Sequence, residues 1–192
     1  MNIVEPIKEK EDIERIRYVL SHNKRNLLLF NFGINSGLRI SDILLLDVID
    51  VKNKEFIEIR EKKTNKYKKF PINNKLNQMI NEYVKDREDN EPLFLTQKNK
   101  RLDRIQAYKI INKAAKSAGI KSHIGTHSLR KTFGYHHYKQ FNNLTLLQKI
   151  LNHSTSAVTL RYIGLEQEVI NDSYKNFFLW KHNIILICCL FL

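Results

Sequence analysis

Cysteine is nearly absent from this chain of 192 residues. The two that occur, Cys188 and Cys189, are neighbours, so they cannot build a disulfide framework, and no Cys/His spacing resembles a zinc site. With no signal peptide either, the sequence points to a reducing cytosol. Long apolar runs are also missing. The longest, Ile184 to Leu192 (IILICCLFL), falls far short of the ~20 residues a membrane-spanning helix needs, so no membrane protein is expected. No internal repeat, low-complexity segment or dividing linker is visible. Carboxylates do not cluster, which argues against a two-metal nuclease. Acidic residues are the scarcer charge: 20 Asp+Glu against 33 Lys+Arg leave a formal net charge of +13. That excess favours a polyanionic partner, with nucleic acid the first candidate. At 42% hydrophobic and 28% charged, the composition is globular and sufficient for one domain with a core.

What is present reads mainly as helix. Residues 10–21 carry Ile13, Ile16 and Leu20 at helical spacing. Residues 24–35 are more apolar, as expected of a central helix. Gly37 ends that helix, and another is expected to start near Ser41 and run through Ile43, Leu44 and Leu46. Phe56–Arg60 and Lys66–Ile72 alternate like the two strands of a hairpin whose tip is basic, with Lys62, Lys63, Lys66, Lys68 and Lys69. Further helices are expected over residues 74–87, 103–118, 127–139, 144–152, around Tyr162 and over 166–178, with a short strand or extended segment at Pro92–Thr96. The fold class is therefore mainly α with a small antiparallel β-hairpin. Residues 1–178 form one domain in this reading, and 179–192 form an atypical hydrophobic tail without a selected role.

The densest chemistry lies between Gly125 and Tyr162 (GTHSLRKTFGYHHYKQFNNLTLLQKILNHSTSAVTLRY). His127 and Arg130 are almost one helical turn apart, so an imidazole and a guanidinium point the same way. Thr126 is the expected N-cap of their helix, whose positive end then faces any bound anion. His153 and Tyr162 follow, and together these groups suit the movement of a phosphoryl group. Arg39 lies at a turn between Leu38 and Ile40, partly desolvated, where a guanidinium holds phosphate best. A tyrosine of pKa ~10 is neutral at pH 7 and needs a proton acceptor or adjacent positive charge to attack. Attack on a phosphodiester builds charge on its oxygens, and each preorganised donor contributes roughly 2.7–4 kcal/mol in well-studied cases. An alkoxide leaving group needs a proton donor, and a lysine crowded by cations has its pKa lowered toward that use.

Four blocks, GLRISD around Arg39, REKKTNKYKKFPI around Lys63, THSLRKTFG around His127 and Arg130, and LNHSTSAVTLRYIG from His153 to Tyr162, resemble the active-site set of the tyrosine recombinases (the phage integrase family) over roughly residues 4–178. The resemblance implies cleavage and rejoining of double-stranded DNA with neither metal nor nucleotide cofactor, through a 3′-phosphotyrosyl bond. It assigns Tyr162 as nucleophile, Arg39 and Arg130 as clamps on the non-bridging oxygens, and His153 as a further donor to them. Lys63 protonates the leaving 5′-oxygen, His127 accepts or orients the tyrosine proton, and Asp42 holds the site together. Lys62 and Lys66 are the alternatives to Lys63, and Tyr174 and Tyr135 the alternatives to Tyr162. The family's separate N-terminal DNA-clamping domain has no counterpart here. Affinity is then expected to rest on phosphate contacts and to fall steeply with salt, with a slope of about −0.9 per neutralised phosphate. A homotetramer on two duplexes is implied, the last helix packing on a neighbouring protomer or back on its own domain. The resemblance implies that the chain is a site-specific DNA recombinase, an integrase. The alternatives are a strand-relaxing or resolving enzyme with the same tyrosine chemistry, or a DNA-binding module that occupies recombination sites without cutting.

Overall fold

The computed structural model describes residues 4–63 and 65–179. The hydrophobic tail anticipated at 179–192 therefore lies almost wholly outside the described residues. In chain order the elements are α1 (Lys10–Leu20), α2 (Lys24–Ser36), α3 (Ile40–Ile43), β1 (Phe56–Arg60), β2 (Tyr67–Pro71), α4 (Asn74–Val84), α5 (Arg104–Ser117), α6 (Thr126–Phe141), α7 (Leu144–Leu151), α8 (Ser156–Ile163) and α9 (Glu166–Asn176). Among the described residues, no helix is long and apolar enough to cross a membrane.

Helix α2 is the axis of the packing. One side of it (Leu28, Leu29, Phe32) joins a core with α3, the hairpin and α4. Another side (Phe30, Ile34) joins a core with α1, α5 and Leu129 of α6. A helix apolar all round buries all round, which explains why its sequence lacks a polar face. It starts at Asn23, whose side chain accepts from the Asn26 N–H at 3.0 Å, and ends at Gly37 in the left-handed region. Gly37 also faces the Phe133 ring so closely that a Cβ would lie 2.7 Å from it, so both backbone and packing require glycine there. A third, smaller core of Leu147, Leu151, Ile163 and Leu165 ties α7 and α8 to α6.

The hairpin pairs Phe56 with Pro71 through Arg60 with Tyr67, antiparallel. Period-two alternation carries Ile57, Ile59 and then Glu61 to its inner face, and Lys68 and Phe70 to the same side from β2.

Three expectations are corrected. The helix after Gly37 is a single turn beginning at Ile40 with Arg39 as N-cap, because Leu44 and Leu46 turn into the first core. Pro92–Thr96 forms only isolated bridges, Asp47 with Pro92 and Leu95 with Arg101. Thr126 is the first residue of α6 and not its cap: Gly125 holds that position, and its N–H is satisfied by Ser128 Oγ at 3.1 Å.

A substitution at Gly33 tests how tightly α2 sets α6. An added Cβ would lie 2.5 Å from Leu129 Cδ1 and 2.9 Å from its Cβ. Alanine gains up to ~1 kcal/mol of helix propensity, but overpacking costs ~1–3 kcal/mol, so Gly33→Ala is expected to be net destabilising. Urea unfolding reads this directly, and a variant as stable as the parent would refute the tight contact.

Candidate active site

Arg39, at the start of α3, is mostly buried and pairs through Nη1 with Glu61 Oε2 at 3.0 Å. Glu61 is 1% exposed, so a whole carboxylate has been taken into the interior to meet that guanidinium. Asp42 is buried beside it and accepts the Lys62 backbone N–H on Oδ1 at 3.1 Å, which ties α3 to the hairpin tip.

Arg130 is 3% exposed on α6. Its Nη2 donates to the Leu151 carbonyl at the end of α7, while its Nη1 is buried without a well-aligned partner. A buried, incompletely satisfied guanidinium is a group waiting for an anion. Tyr162 of α8 lies beside it. Burial raises the Tyr162 pKa, and the charges of Arg130 and Arg39 together with hydrogen bonding to Arg130 pull it back. Lys131 Nζ sits 5.3 Å over the Tyr162 ring. Tyr135 instead lies between Lys8 and Lys139, and Tyr174 is 81% exposed on α9.

His153 packs edge-on against Tyr162, ring centroids 4.9 Å apart. Its Nδ1 lies 3.2 Å from Thr159 Oγ1, and that hydroxyl donates to the Thr155 carbonyl at 3.1 Å. With its one proton committed, Thr159 accepts from Nδ1–H, which leaves Nε2 as the free nitrogen. Burial first, then Arg130 and Arg39, push the His153 pKa down to about 4. His127 sits nearer the surface, in a cleft of about 350 Å³ that Arg39, Ser41, Lys62, Lys63 and Arg104 also line. Burial and the charges of Arg104, Arg130, Lys131 and Arg39 lower its pKa too. His127 makes no described hydrogen bond to Tyr162.

Of the hairpin lysines, Lys62 and Lys63 reach this cleft, whereas Lys66 Nζ donates to Asn152 Oδ1 at 3.1 Å. Lys69 pairs with Glu58 at 2.6 Å. Lys68 is the inward one: Nζ donates to the Ile150 carbonyl at 3.0 Å, and burial first, then Arg130, lower its pKa to about 8. The roles of Glu61, Lys68, Asn152 and Thr159 escaped the sequence reading. For Glu61 and Lys68 a signal existed, since strand alternation puts both on the apolar side of the hairpin. Among the described residues, no group of three or more His, Cys, Asp or Glu could hold a metal ion.

The lowered imidazole pKa values predict a pH dependence. Below pH 6.5 the unfolded chain takes up protons that folded His153 and His127 refuse, so stability present above that pH is lost as pH falls toward about 4. The melting temperature without DNA should fall across that interval, and His153→Gln should flatten the slope. An unaltered slope in the variant would rule His153 out as a source.

The sequence profile of the Phage integrase family matches residues 8–168. The chain is 48% identical over 179 residues to the probable integrase/recombinase YoeC of Bacillus subtilis (strain 168), covering 92% of this chain and 98% of that protein. It is 27% identical over 169 residues to the tyrosine recombinase XerC of Thermodesulfovibrio yellowstonii, covering 82% of this chain and 55% of that one. It thus spans nearly all of the first relative and about half the length of the second. Among solved structures, a XerA recombinase superposes with a TM-score of 0.74 at 21% identity, over 89% of this chain and 63% of that one. The Tn1549 transposon integrase in complex with a circular intermediate DNA gives 0.68 at 18% identity, over 84% and 62%. At these identities the structures speak for the fold.

Proposed function

The chain belongs to the phage integrase family, as a tyrosine recombinase catalytic domain, and from that premise we propose that it cleaves and rejoins DNA at specific sites with Tyr162 as nucleophile. The observation that carries this reading is the meeting of a buried phenol with a buried, incompletely satisfied guanidinium at Arg130, flanked by Arg39 and His153.

The scissile phosphate sits over Arg130 and Arg39, whose planar donors match its non-bridging oxygens. Tyr162 Oη attacks phosphorus and the bond to the 5′-oxygen breaks, leaving a 3′-phosphotyrosyl linkage. The phenolic proton passes to His127, whose pKa is lowered by burial and then by the surrounding cations, so that it is neutral and able to accept it. Lys63, in the cleft beside Arg39, gives its proton to the departing 5′-oxygen. His153 is neutral before DNA binds; the phosphate's negative charge raises its pKa, and the imidazolium then donates from Nε2 to a non-bridging oxygen. Asp42 keeps the hairpin tip against α3. A 5′-hydroxyl from the partner strand reverses these transfers, so the bond energy is conserved and no cofactor is consumed.

Double-stranded DNA is the partner in this reading, supported by the net charge of +13 and by the DNA held in the transposon integrase complex. Residues 1–178 are the catalytic domain. Helix α9 buries none of its residues, and Ile170 and Tyr174 on it, with Phe177 and Phe178 just after it, are exposed, which supports its packing on a neighbouring protomer in a tetramer on two duplexes. Sedimentation of the protein on paired sites measures that assembly, and Tyr174→Glu should reduce it to single-duplex complexes.

A nicked suicide duplex carrying the target site tests the chemistry. The parent should form a covalent protein–DNA adduct and Tyr162→Phe none, with binding retained. Arg130→Ala should slow adduct formation about 10²–10³-fold, the usual cost of one preorganised donor. Adduct formation by Tyr162→Phe would overturn the assignment.

A further inference from the structure

Asn152 makes two side-chain bonds that the chemistry above leaves unused. It is the C-cap of α7 and lies in the left-handed region at φ 51°, ψ 49°, immediately before His153. Its Oδ1 accepts from Lys66 Nζ at 3.1 Å and its Nδ2 donates to Glu61 Oε2 at 3.2 Å. Glu61 and Lys66 are the two ends of the hairpin tip that carries Lys63. They are also joined to each other, the Glu61 N–H donating to the Lys66 carbonyl at 2.9 Å. One amide thus holds both feet of the tip. The Glu61 oxygen it touches is the same one that pairs with Arg39 at 3.0 Å. A few ångströms along, Lys68 Nζ bonds the Ile150 carbonyl, so the hairpin meets the end of α7 at consecutive points.

The sequence separation makes this informative. The hairpin and α7 are about ninety residues apart, and without these contacts the tip would be held against α3 by the Asp42–Lys62 bond and the Arg39–Glu61 pair but not against the turn that carries His153. A tip carrying a proton donor has to reach the leaving oxygen within hydrogen-bond distance, and displacement by ~1 Å costs up to ~10²-fold in rate. The left-handed backbone alone does not need asparagine, because glycine adopts it without strain. What asparagine adds is the pair of bonds.

We propose that Asn152 is a positioning residue: its amide registers the Lys63-bearing hairpin tip against the α7–His153 turn and the Arg39–Glu61 pair, adding to the Asp42–Lys62 bond that holds the tip against α3. This rests on Lys63 acting as the acid toward the 5′-oxygen.

The test compares two suicide duplexes, one with an ordinary phosphodiester and one with sulfur in place of the bridging 5′-oxygen. A thiol of pKa ~8.5 leaves as thiolate and needs no proton donor. Asn152→Gly keeps the left-handed backbone while deleting both bonds, so it should stay folded with a modestly lowered melting temperature and bind DNA as the parent does. Its single-turnover cleavage of the ordinary duplex should fall about 10- to 100-fold, and the sulfur duplex should bring it back to within about 2-fold of parent. Lys63→Ala serves as the reference and should be rescued in the same way. If Lys63→Ala is rescued but Asn152→Gly is either unimpaired or impaired equally on both duplexes, Asn152 does not position the acid. If Lys63→Ala is itself not rescued, the role of Lys63 falls and this inference falls with it.

Discussion

The structure depends on a concentration of desolvated positive charge that is only partly neutralised. Arg39, Arg130 and Lys68 converge under the surface, and the buried anions facing them are Glu61 and Asp42. Removing cations from water is costly unless they are paired, and here the pairing is deliberately short by about one anion. The neighbouring groups respond first to burial and then to this field. Lys68 is lowered to about 8 and His153 to about 4, while Arg130 and Arg39 pull the Tyr162 pKa back against its burial. In the proposed reaction a phosphodiester would supply the missing negative charge, and the field that adds to burial in lowering the imidazole pKa values would act on the oxygens of the transition state.

Holding such a hole open requires backbone that does not relax around it. Arg130 is anchored at the Leu151 carbonyl and Lys68 at the Ile150 carbonyl, so the end of α7 supplies partial negative charge where its own last carbonyls lack helical partners. Asn152 ends the helix in the left-handed region, and His153 follows with its Nδ1 turned to Thr159. The apolar contacts of Leu147, Leu151 and Ile163 set α7 and α8 against α6. Gly134 permits that approach, since a Cβ there would meet Ile163 Cγ2 at 2.7 Å. The position of Tyr162 is thus a consequence of packing one residue away, at Ile163.

Local chemistry made much of this readable. Helical periodicity located most helices to within a few residues, because Ile13, Ile16 and Leu20, or Leu76 and Ile80, bury as their spacing requires. Alternation and polar composition gave the hairpin. Boundaries failed where tertiary contacts decide them: α3 is one turn because Leu44 and Leu46 are drawn into the core, and the segment from Pro92 to Thr96 is fixed by single bridges. The apolar stripe of α9 was visible too, but among the described residues Val169 is the one member of it that packs on a core.

By itself, the sequence determined which chemical groups are available and their order along the chain: two guanidiniums, two imidazoles, a basic hairpin and a phenol, with their helical or strand parity. Parity fixes facing within an element because side-chain direction follows from backbone geometry alone. Depth was decided only by tertiary structure. His127 and Arg130 share a helix and a side, yet one lines an open cleft and the other is sealed beneath it. Which lysine is buried against Ile150, which carboxylate meets Arg39, and that an asparagine joins two segments far apart in sequence, all depend on contacts between elements. Such contacts form only when separate cores pack, and no local pattern encodes their distances.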